Sequence, residues 1–374
     1  MKKGDADTFG VYLHIPFCKA KCQYCDFHSL PGQEKLIGRY VAALIREIEA
    51  AARLVAGRRA ASVFFGGGTP SLLSPAQAGR VIDALARSMK LSSRAEITLE
   101  ANPESATLAR LKGFRAAGVN RVSIGVQSLN NEQLRVLGRI HTAAQARGAI
   151  LRAFDAGFTN VSADLMYALP GQTTDEWLDD LAEAASWGLT HLSCYQLTPE
   201  ASTPYGRAVA RGDVEQPLDE ESEFFDETES LLRAKGYDHY EISNFGRRSR
   251  ACAHNIGYWE YRDYVGLGAG AHGKLGARRW INIKSPAEYI KRARATGHAV
   301  WRAEALTPDL IQIERLMLGL RLRRGIGLDG IEITPVMRAL ARRGLLRLTA
   351  RHIRATARGW RVLDSVLRAL VRGG

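Results

Sequence analysis

Three cysteines stand close together near the start of the chain, at Cys18, Cys22 and Cys25, in the spacing Cys-x3-Cys-x2-Cys. Thiolates favour iron–sulfur clusters and zinc as their metal partners in proteins. Three thiolates in one loop can bind three corners of an Fe4S4 cube, which leaves the fourth iron without a protein ligand. An open iron suits chelation by the amino and carboxylate groups of S-adenosylmethionine, to which the cluster can then pass an electron. The spacing therefore predicts a redox-active [4Fe-4S] cluster that binds S-adenosylmethionine.

A zinc site is the alternative for these thiols, with His14 or His28 as a further ligand, because zinc also binds thiolate and imidazole. The two remaining cysteines, Cys194 and Cys252, stand alone in the sequence. This distribution suits a metal site in a reducing compartment better than a framework of disulfides.

The first half of the chain alternates short apolar runs with amphipathic stretches. Runs typical of strands lie at 11–15, 62–65, 96–100, 121–126, 161–165 and 191–196. Helical stretches such as 36–54 and 75–89 separate them. Six β/α units of this kind predict a parallel sheet in an α/β fold. Their regularity favours a full or partial (β/α) barrel over an open doubly wound sheet.

Polar or glycine-rich residues follow the predicted strands at the ends where barrels place their active sites. The second strand runs into Gly66-Gly67-Gly68-Thr69-Pro70, where missing side chains let the backbone approach a ligand closely. Glu100, Gln127 and Asp164 end the next three strands, and Arg139 follows the fourth strand. Such groups can bind the ammonium, carboxylate and ribose diol of S-adenosylmethionine. A tight turn at the glycines and a helix cap at Asp164 are the structural alternatives.

The alternation breaks after the sixth unit. Residues 200–300 are expected to mix loops, an acidic helix at about 218–234 and a stretch rich in glycine and aromatic residues at 254–273. Three helical patterns follow, with short strands at 345–348 and 352–354 between the last two. This order predicts a small winged-helix-like module at the C-terminus.

Positive charge is concentrated in the C-terminal fifth of a chain whose formal net charge is +13. Residues 301–374 contain 15 arginines, no lysine and six acidic residues, which is a net charge of +9. Nucleic acid, anionic lipid headgroups, an acidic protein face and a carboxylate-bearing small molecule are partners that suit this charge. A solvated basic helix surface is the alternative.

The composition is that of a folded globular protein, because 46% of the residues are hydrophobic. No apolar run approaches the roughly 20 residues that a membrane-spanning helix needs. The start of the chain, residues 1–10, lacks the apolar core of a signal peptide. The expected location is therefore the cytoplasm.

Five motifs in combination resemble those of the radical-SAM family of oxygen-independent coproporphyrinogen III oxidases and their relatives. They are the cysteine motif with Tyr24, the Gly-Gly-Gly-Thr-Pro run, Glu100-Ala-Asn-Pro, Ser123-Ile-Gly-Val-Gln-Ser and Asp164-Leu-Met-Tyr-Ala-Leu-Pro-Gly-Gln. The resemblance spans nearly the whole chain, including the C-terminal module. It implies a partial (β/α)6 barrel, in agreement with the six units counted above.

The resemblance also implies functional residues, position by position. It makes Cys18, Cys22 and Cys25 the cluster ligands. The residues that it implies as contacts to S-adenosylmethionine are Tyr12, Tyr24, Gly67, Gly68, Thr69, Glu100, Gln127, Arg139 and Asp164.

Two features depart from the oxidase pattern. The oxidases carry a longer N-terminal extension that helps to close the substrate site, whereas ten residues precede the first predicted strand here. They also have a further cysteine two residues after the third ligand, where this chain has Phe27. Both features resemble the related branch of HemW-type heme chaperones, which bind heme and pass it to respiratory hemoproteins.

A second signature resembles the same branch. His254-Asn-Ile-Gly-Tyr258-Trp259 is similar to the His-Asn-x-x-Tyr-Trp motif of the heme chaperones. An imidazole can ligate heme iron, and Tyr258 and Trp259 offer flat apolar surface to a porphyrin face. Arginines of the basic C-terminal region can pair with the heme propionates. The alternatives are a buried, hydrogen-bonded His254 and Cys252 as a soft iron ligand.

The leading hypothesis is a cytoplasmic heme chaperone in which the cluster and S-adenosylmethionine govern loading, dimerisation or release. Its predicted domains are a radical-SAM partial barrel at 1–235, a connecting region with the candidate heme motif at 236–300 and the winged-helix-like module at 301–374. The basic module is expected to face a membrane-bound acceptor. Peripheral contact with the inner membrane and a homodimer are further expectations.

Two other functions compete with this hypothesis. One is an oxygen-independent coproporphyrinogen III oxidase, in which a 5′-deoxyadenosyl radical drives oxidative decarboxylation of propionates, but the short N-terminus predicts no such turnover. The other is nucleic-acid binding, which the basic C-terminal region and the winged-helix-like pattern suggest. Retention on DNA that vanishes with moderate salt and shows no sequence preference would reduce it to generic electrostatics. The sequence leaves open whether S-adenosylmethionine is cleaved and which hemoprotein accepts the heme. It also leaves open the roles of His14, His28, His272, Cys194 and Cys252.

Overall fold

Strands and helices alternate along most of the computed structural model, which describes residues 7–215 and 221–372. In chain order the strands are β1 (Thr8–Ile15), β2 (Phe17–Cys18), β3 (Leu30–Pro31), β4 (Arg59–Gly67), β5 (Leu91–Ala101), β6 (Arg121–Gln127), β7 (Val161–Tyr167), β8 (His191–Gln196), β9 (Asp238–Glu241), β10 (Asn244–Gly246), β11 (Tyr264–Leu267), β12 (His272–Leu275), β13 (Arg278–Asn282), β14 (Val300–Ala305), β15 (Ile326–Gly327), β16 (Leu346–Leu348) and β17 (His352–Ala355). The helices are α1 (Ile37–Ala51), α2 (Pro75–Ser88), α3 (Leu108–Ala116), α4 (Asn131–Val136), α5 (Ala143–Asp155), α6 (Thr174–Ser186), α7 (Pro204–Ala210), α8 (Glu221–Ala234), α9 (Ala253–Trp259), α10 (Pro286–Thr296), α11 (Pro308–Gly319), α12 (Pro335–Arg342), α13 (Ala357–Arg361) and α14 (Leu363–Arg372). The predicted acidic helix is confirmed as α8, while its first expected positions, 218–220, lie outside the described residues.

Most of the strands form one mixed sheet of twelve strands, in the order β14-β13-β12-β11-β1-β4-β5-β6-β7-β8-β10-β9. The run from β1 to β8 in this order is parallel throughout, and β11 pairs in parallel with the free side of β1. The order ends at β14 and β9 without returning to its start, so the described strands form a partial barrel. The six predicted strands and the partial (β/α)6 architecture are therefore confirmed.

Local sequence signals set where the helices begin. Side-chain oxygens of N-cap residues accept backbone N–H groups at Ser74, Thr107, Asn130, Thr142, Thr173 and Thr203. In α2, α5 and α6 the side chain of a glutamine or glutamate three residues after the N-cap residue accepts the N-cap backbone N–H and completes a capping box. Apolar residues spaced three and four apart on α1, such as Val41, Leu44 and Ile48, are buried against the sheet.

The region after residue 235 contains more strand than the sequence analysis predicted. Five short strands, β9 to β13, lie within 238–282 and extend the parallel sheet on both sides. Glycines interrupt the alternation of side chains in these strands. A Cβ on Gly266 would lie 1.6 Å from the carbonyl oxygen of His272, so only glycine fits there. A Cβ on Gly273 would lie 2.2 Å from the ring of Trp280. Short strands with glycine at close contacts show no alternation of side chains. The expected boundary at residue 235 falls inside this sheet, and as a domain limit it stays a prediction.

A second hydrophobic core lies in the C-terminal part of the chain. It joins α11, α12 and α14 to a small sheet with the strand order β15-β17-β16. Trp360 Nε1 donates a hydrogen bond to the Leu320 carbonyl oxygen at 3.0 Å, which fixes α13 against the end of α11. The expected strand pair is confirmed as β16 and β17, and β15 is a third strand that the sequence analysis missed. The assignment as a winged-helix-like module stays a prediction.

Candidate functional site

The three clustered cysteines lie between β1 and α1, at the carboxyl end of the first parallel strand, where Cys18 ends the short strand β2 and Cys22 and Cys25 follow in a loop. The strands β2 and β3 pair at the base of this loop, where the Leu30 N–H donates to the Pro16 carbonyl oxygen at 2.8 Å. Cys18, Cys22 and Cys25 have free thiols and line one cavity of about 410 Å³. We call it the cysteine cavity. The loop thus brings all three predicted cluster ligands to one place.

The glycine run at the end of β4 packs directly against the cysteine loop. The Gly68 N–H donates to the carbonyl oxygen of Ile15 at 2.9 Å, and the Thr69 N–H donates to that of Phe17 at 2.7 Å. A Cβ on Gly68 would lie 2.6 Å from the Phe17 oxygen, so no larger residue fits there. Thr69 Oγ1 lies 3.3 Å from Cys18 Sγ. The glycines therefore allow a close approach that places the threonine hydroxyl on a predicted ligand.

A chain of hydrogen bonds continues from Thr69 to Cys22. Asn102 Nδ2 donates to Thr69 Oγ1 at 3.2 Å, and Arg139 Nη2 donates to Asn102 Oδ1 at 2.8 Å. Arg139 Nη1 donates to Cys22 Sγ at 3.3 Å, while its Nε is buried without a hydrogen-bond partner in the described chain. The guanidinium thus places positive charge beside Cys22, while burial raises the pKa of the Cys18 and Cys25 thiols. Asn102 was not among the predicted residues, although its position in the Glu-Ala-Asn-Pro motif was a usable signal.

Two carboxyl groups, those of Glu100 and Asp164, line the same cavity. The Gly67 N–H donates to Glu100 Oε2 at 3.2 Å, and Ser123 Oγ donates to Asp164 Oδ1 at 3.0 Å. Burial raises the pKa of Glu100 to about 8, and the nearby charge of Asp164 raises it further in the same direction. Burial also raises the pKa of Asp164. In their ionised forms the two groups can bind an ammonium group or accept hydrogen bonds from a diol.

Gln127 and Tyr24 complete the predicted residues along the cysteine cavity. Gln127 has a left-handed backbone, with φ of +70°, at a bulge where the register between β6 and β7 shifts. Burial raises the pKa of the Tyr24 hydroxyl well above its ordinary value. Lining residues that the sequence analysis missed include Ser123, Met166, Tyr195 and Gln196. Tyr195 and Gln196 end β8, so the rule that barrel sites lie at strand ends could have found them.

Tyr12 lies apart from the other predicted contacts to S-adenosylmethionine, because it is not among the residues that line the cysteine cavity. Its hydroxyl forms a hydrogen bond with His14 Nδ1 at 3.0 Å. Its ring stacks on Phe64, with 6.4 Å between the ring centroids. The contact between Tyr12 and the cofactor stays a prediction.

The two histidines of the zinc alternative are engaged elsewhere. His14 Nε2 bonds to the His28 carbonyl oxygen at 2.8 Å, and His28 Nε2 bonds to the Lys284 carbonyl oxygen at 2.6 Å. In the described ranges no three or more His, Cys, Asp or Glu side chains are grouped so that they could hold a single metal ion. Neither His14 nor His28 is among the residues that line the cysteine cavity with the three thiols.

Known proteins are similar to this chain in sequence and fold. The family model of the radical SAM superfamily matches residues 12–184. The heme chaperone HemW of Mycobacterium tuberculosis is 36% identical over 369 residues, which are 97% of this chain and 95% of that protein. The chain belongs to the HemW family. The heme chaperone HemW of Escherichia coli is 41% identical over 267 residues, which cover 71% of this chain and 70% of that protein.

A solved structure agrees with the assignment to the HemW family at the level of fold. Coproporphyrinogen III oxidase (HemN) from Escherichia coli, a radical SAM enzyme, aligns with a TM-score of 0.83 and 26% sequence identity. The alignment covers 97% of this chain and 90% of the oxidase. The predicted radical-SAM fold is therefore confirmed.

The cysteine cavity of this HemW relative fits the groups that the superfamily implies, a [4Fe-4S] cluster and S-adenosylmethionine. Its volume of about 410 Å³ is in the range of small-molecule sites, roughly 300–1,000 Å³. Three free thiols face it together with a buried guanidinium that retains an unused donor, Arg139 Nε. When bound, the cluster supplies the electron for S-adenosylmethionine chemistry, and the protein supplies ligands, charge and hydrogen bonds.

The candidate heme motif of the HemW family lies on α9, outside the cysteine cavity. His254 is only 3% exposed, and both of its ring nitrogens are engaged. Nδ1 bonds to Ser62 Oγ at 2.9 Å, and Nε2 bonds to the Tyr258 hydroxyl at 2.9 Å. Burial lowers the pKa of His254 to about 3, so the ring is neutral at pH 7. In this fold His254 is the buried, hydrogen-bonded histidine of the alternative interpretation, and its role as an iron ligand stays a prediction.

The other motif residues also lack room for a porphyrin around them. His254 and Tyr258 line a cavity of only about 50 Å³, which accommodates water but no macrocycle. Trp259 lies under Arg321, whose guanidinium carbon is 4.7 Å from the indole centroid. The Cys252 thiol is buried and lies 3.4 Å from Glu96 Oε1. The heme contacts of Tyr258 and Trp259 stay predictions.

Replacing His254 by alanine is expected to destabilise the protein. The change removes a buried ring and leaves Ser62 Oγ and the Tyr258 hydroxyl without their hydrogen-bond partner. We expect the free energy of unfolding in urea to fall by about 3 kcal/mol. The exposed His298 provides the control, since His298→Ala should change it by less than about 0.5 kcal/mol. Equal stabilities of the two variants would contradict the structural role of His254.

Proposed function

We propose that this chain binds heme and passes it to respiratory hemoproteins, with a [4Fe-4S] cluster and S-adenosylmethionine in the cysteine cavity. The observation that carries the proposal is the 36% identity to a heme chaperone over 95% of that protein's length. Heme chaperones from Escherichia coli and Bacillus subtilis support it, with identities of 41% and 33%. A cysteine cavity with a complete set of thiol ligands is consistent with the same assignment.

In this proposal the residues of the cysteine cavity have separate tasks. Cys18, Cys22 and Cys25 hold the cluster, and Arg139 offsets their negative charge. Backbone groups of the glycine run and the two carboxyl groups, those of Glu100 and Asp164, bind and orient S-adenosylmethionine. Binding of this cofactor governs heme loading, dimerisation or release.

Anaerobically reconstituted protein tests the proposal. Iron, sulfide and ferric heme are measured together, and reductive cleavage of S-adenosylmethionine is followed in the same samples. We expect about one heme per chain that survives gel filtration and moves to an apo-hemoprotein in respiratory membranes. Heme binding no stronger than that of an unrelated protein of similar size and charge would contradict the proposal.

The partners and location follow from the same proposal. In the described part of the chain, no helix has the length and apolar character to cross a membrane. We infer a cytoplasmic protein whose arginine-rich C-terminal module faces a membrane-bound acceptor, with peripheral contact to anionic headgroups, and which forms a homodimer. Sedimentation with anionic vesicles at low salt supports this contact, and its absence would contradict it. No specific nucleic acid is proposed as a partner.

Coproporphyrinogen III oxidation is the second candidate function. The TM-score of 0.83 to the Escherichia coli oxidase favours it. Against it, Phe27 stands where the oxidases have a further cysteine, and its side chain is largely exposed. Anaerobic incubation with coproporphyrinogen III, S-adenosylmethionine and a reductant distinguishes the two functions. Formation of protoporphyrinogen IX would establish the oxidase, and we expect none.

A further inference from the structure

A larger cavity of about 580 Å³ lies between the barrel sheet and the C-terminal module. Two residues of its wall, Arg58 and Asp263, directly precede the strands β4 and β11. The module contributes Arg315, Arg324 and His352. We call the space bounded by these five residues the basal cavity. Because it lies at the amino ends of parallel strands, it is on the opposite edge of the sheet from the cysteine cavity.

One carboxylate of the basal cavity faces two cations. Asp263 Oδ2 lies 2.9 Å from Arg58 Nη1, and its Oδ1 lies 3.0 Å from Lys274 Nζ. All three side chains are at least partly buried, with 24% of the arginine, 20% of the aspartate and 7% of the lysine side chain exposed. This group therefore retains one positive charge.

A second carboxylate on the same loop also faces two cations. Glu260 pairs with Arg262 at 2.5 Å and also with Arg324 of the module. Arg315 donates to the backbone oxygen of Asp329 at 2.7 Å, and the Asp329 carboxylate is the third on the wall. Four arginines and three carboxylates line the basal cavity, so its wall has one net positive charge, and Lys274 pairs with Asp263 from outside this lining. Arg315 donates to a backbone oxygen, and Arg324 shares its partner Glu260 with Arg262, so each of these two arginines can bind a carboxylate group of a ligand.

The basal cavity also contains an imidazole available for coordination. His352 is partly buried on β17 and lines the cavity. Within the described ranges its ring nitrogens form no hydrogen bond, unlike both ring nitrogens of His254. A neutral imidazole with a free nitrogen is the commonest axial ligand of heme iron.

The size of the basal cavity suits a large planar ligand. Its volume of about 580 Å³ exceeds the roughly 300 Å³ at which small-molecule sites begin. The cavity beside His254, at about 50 Å³, is smaller than this limit. Tyr261 and Ile326 add apolar surface to the charged wall of the basal cavity.

We propose that the basal cavity is the heme site, where His352 ligates the iron and Arg315 and Arg324 bind the two propionates. The proposal rests on the proposed heme function and adds its location. It places the cargo on the opposite edge of the sheet from the cluster.

The position of the family motif fits this site. The motif helix α9 leads directly into the loop 260–263, which supplies Glu260 and Arg262 to the cavity wall. Two backbone hydrogen bonds fix the loop on the helix, from the Tyr261 N–H to Tyr258 O at 2.9 Å and from the Arg262 N–H to Gly257 O at 2.8 Å. Since His254 holds the Tyr258 hydroxyl, the motif positions this wall and does not need to touch the heme.

Titration of the full-length protein with ferric heme tests the iron ligand. We expect His352→Ala to weaken heme binding by more than about tenfold and to change the Soret absorption, and we expect added imidazole to restore the spectrum. The matched control is His298→Ala, which removes an exposed histidine outside the cavity. His254→Ala should keep the wild-type Soret spectrum at saturating heme.

Two further variants test the cavity without touching a histidine. The pair Arg315→Ala and Arg324→Ala should weaken binding about tenfold or more, whereas Arg292→Ala with Arg294→Ala on α10 should not. Gly327→Leu should block the entry of heme, because Gly327 lines the cavity and leucine adds a bulky side chain there. The fold should tolerate this change, since a Cβ on Gly327 would have only ordinary contacts, the nearest at 3.5 Å. Wild-type protein that fails to bind heme would overturn the proposed function itself. Wild-type binding that the basal-cavity variants leave unchanged, or a spectrum lost only with His254→Ala, would overturn this site alone.

Discussion

Replacing Cys18, Cys22 and Cys25 together by alanine is expected to remove essentially all iron and acid-labile sulfide from anaerobically reconstituted protein. The three thiols line one cavity, and the histidines nearest in sequence are bonded to carbonyl groups elsewhere. The measurement is iron and sulfide per chain, together with the visible absorption of the thiolate-bound cluster.

A matched cysteine variant controls for general damage. Cys194 is buried in the sheet core, 2% exposed, and does not line the cysteine cavity. Cys194→Ala should therefore retain the iron and sulfide of the wild-type protein. The triple variant should keep its secondary structure, because backbone hydrogen bonds between β2 and β3 hold the loop. Wild-type protein with zinc and no sulfide, or a triple variant that keeps its iron, would contradict the cluster assignment.

The barrel half of the fold follows from local sequence patterns. A glycine, a proline or a helix cap follows each predicted strand, so the sequence itself indicates where the chain turns. The bounds of β8, His191–Gln196, agree with the predicted 191–196. The strands of 238–282 escaped prediction because they are short and contain glycines at positions where another backbone or ring lies against them. Their pairing depends on distant residues, which no local pattern shows.

The candidate site was likewise predictable from the sequence only in part. The cysteine spacing and the motif glycines identify the cavity, since those residues are contiguous in sequence. Burial and partners in three dimensions decide the rest. Glu47 of α1 shows this, because it accepts hydrogen bonds from the Gly268 N–H, Asn282 Nδ2 and the Tyr289 hydroxyl, at 2.8, 2.7 and 2.6 Å. A helix pattern would place a glutamate in solvent, whereas here it joins the helix to the loop after β11 and to α10.

The hydrogen bonding of His254 also depends on a residue that is distant in the sequence. Its partner Ser62 is on β4, almost two hundred residues earlier in the sequence, roughly half the chain away. A motif can indicate that a histidine is important without showing whether it contacts a ligand or supports the fold. The basal cavity was likewise invisible in the sequence, because its charges come from the turn before β4, the loop after α9 and the C-terminal module.

Replacing Glu100 by glutamine is expected to weaken S-adenosylmethionine binding in a pH-dependent way. The pKa of Glu100 is raised to about 8, so the group is protonated below pH 8 and ionised above it. An ionised carboxylate binds an ammonium group or a diol more tightly than a neutral amide does, by about tenfold or more. A protonated carboxyl group resembles the amide in charge. The ratio of wild-type to Glu100→Gln affinity should therefore be near one at pH 6.5 and rise through pH 8.

Using the ratio removes the titration of the ligand itself, since both proteins bind the same S-adenosylmethionine. Isothermal titration at a series of pH values between about 6.5 and 9 gives the affinities. The control is Glu132→Gln, whose glutamate lies on the exposed surface of α4 and should give a ratio near one throughout. A ratio that is independent of pH would show that Glu100 does not act through its charge. A ratio that falls as the pH rises would mean that the neutral acid is the binding form, because the proton on Glu100 would then be the group that the ligand needs.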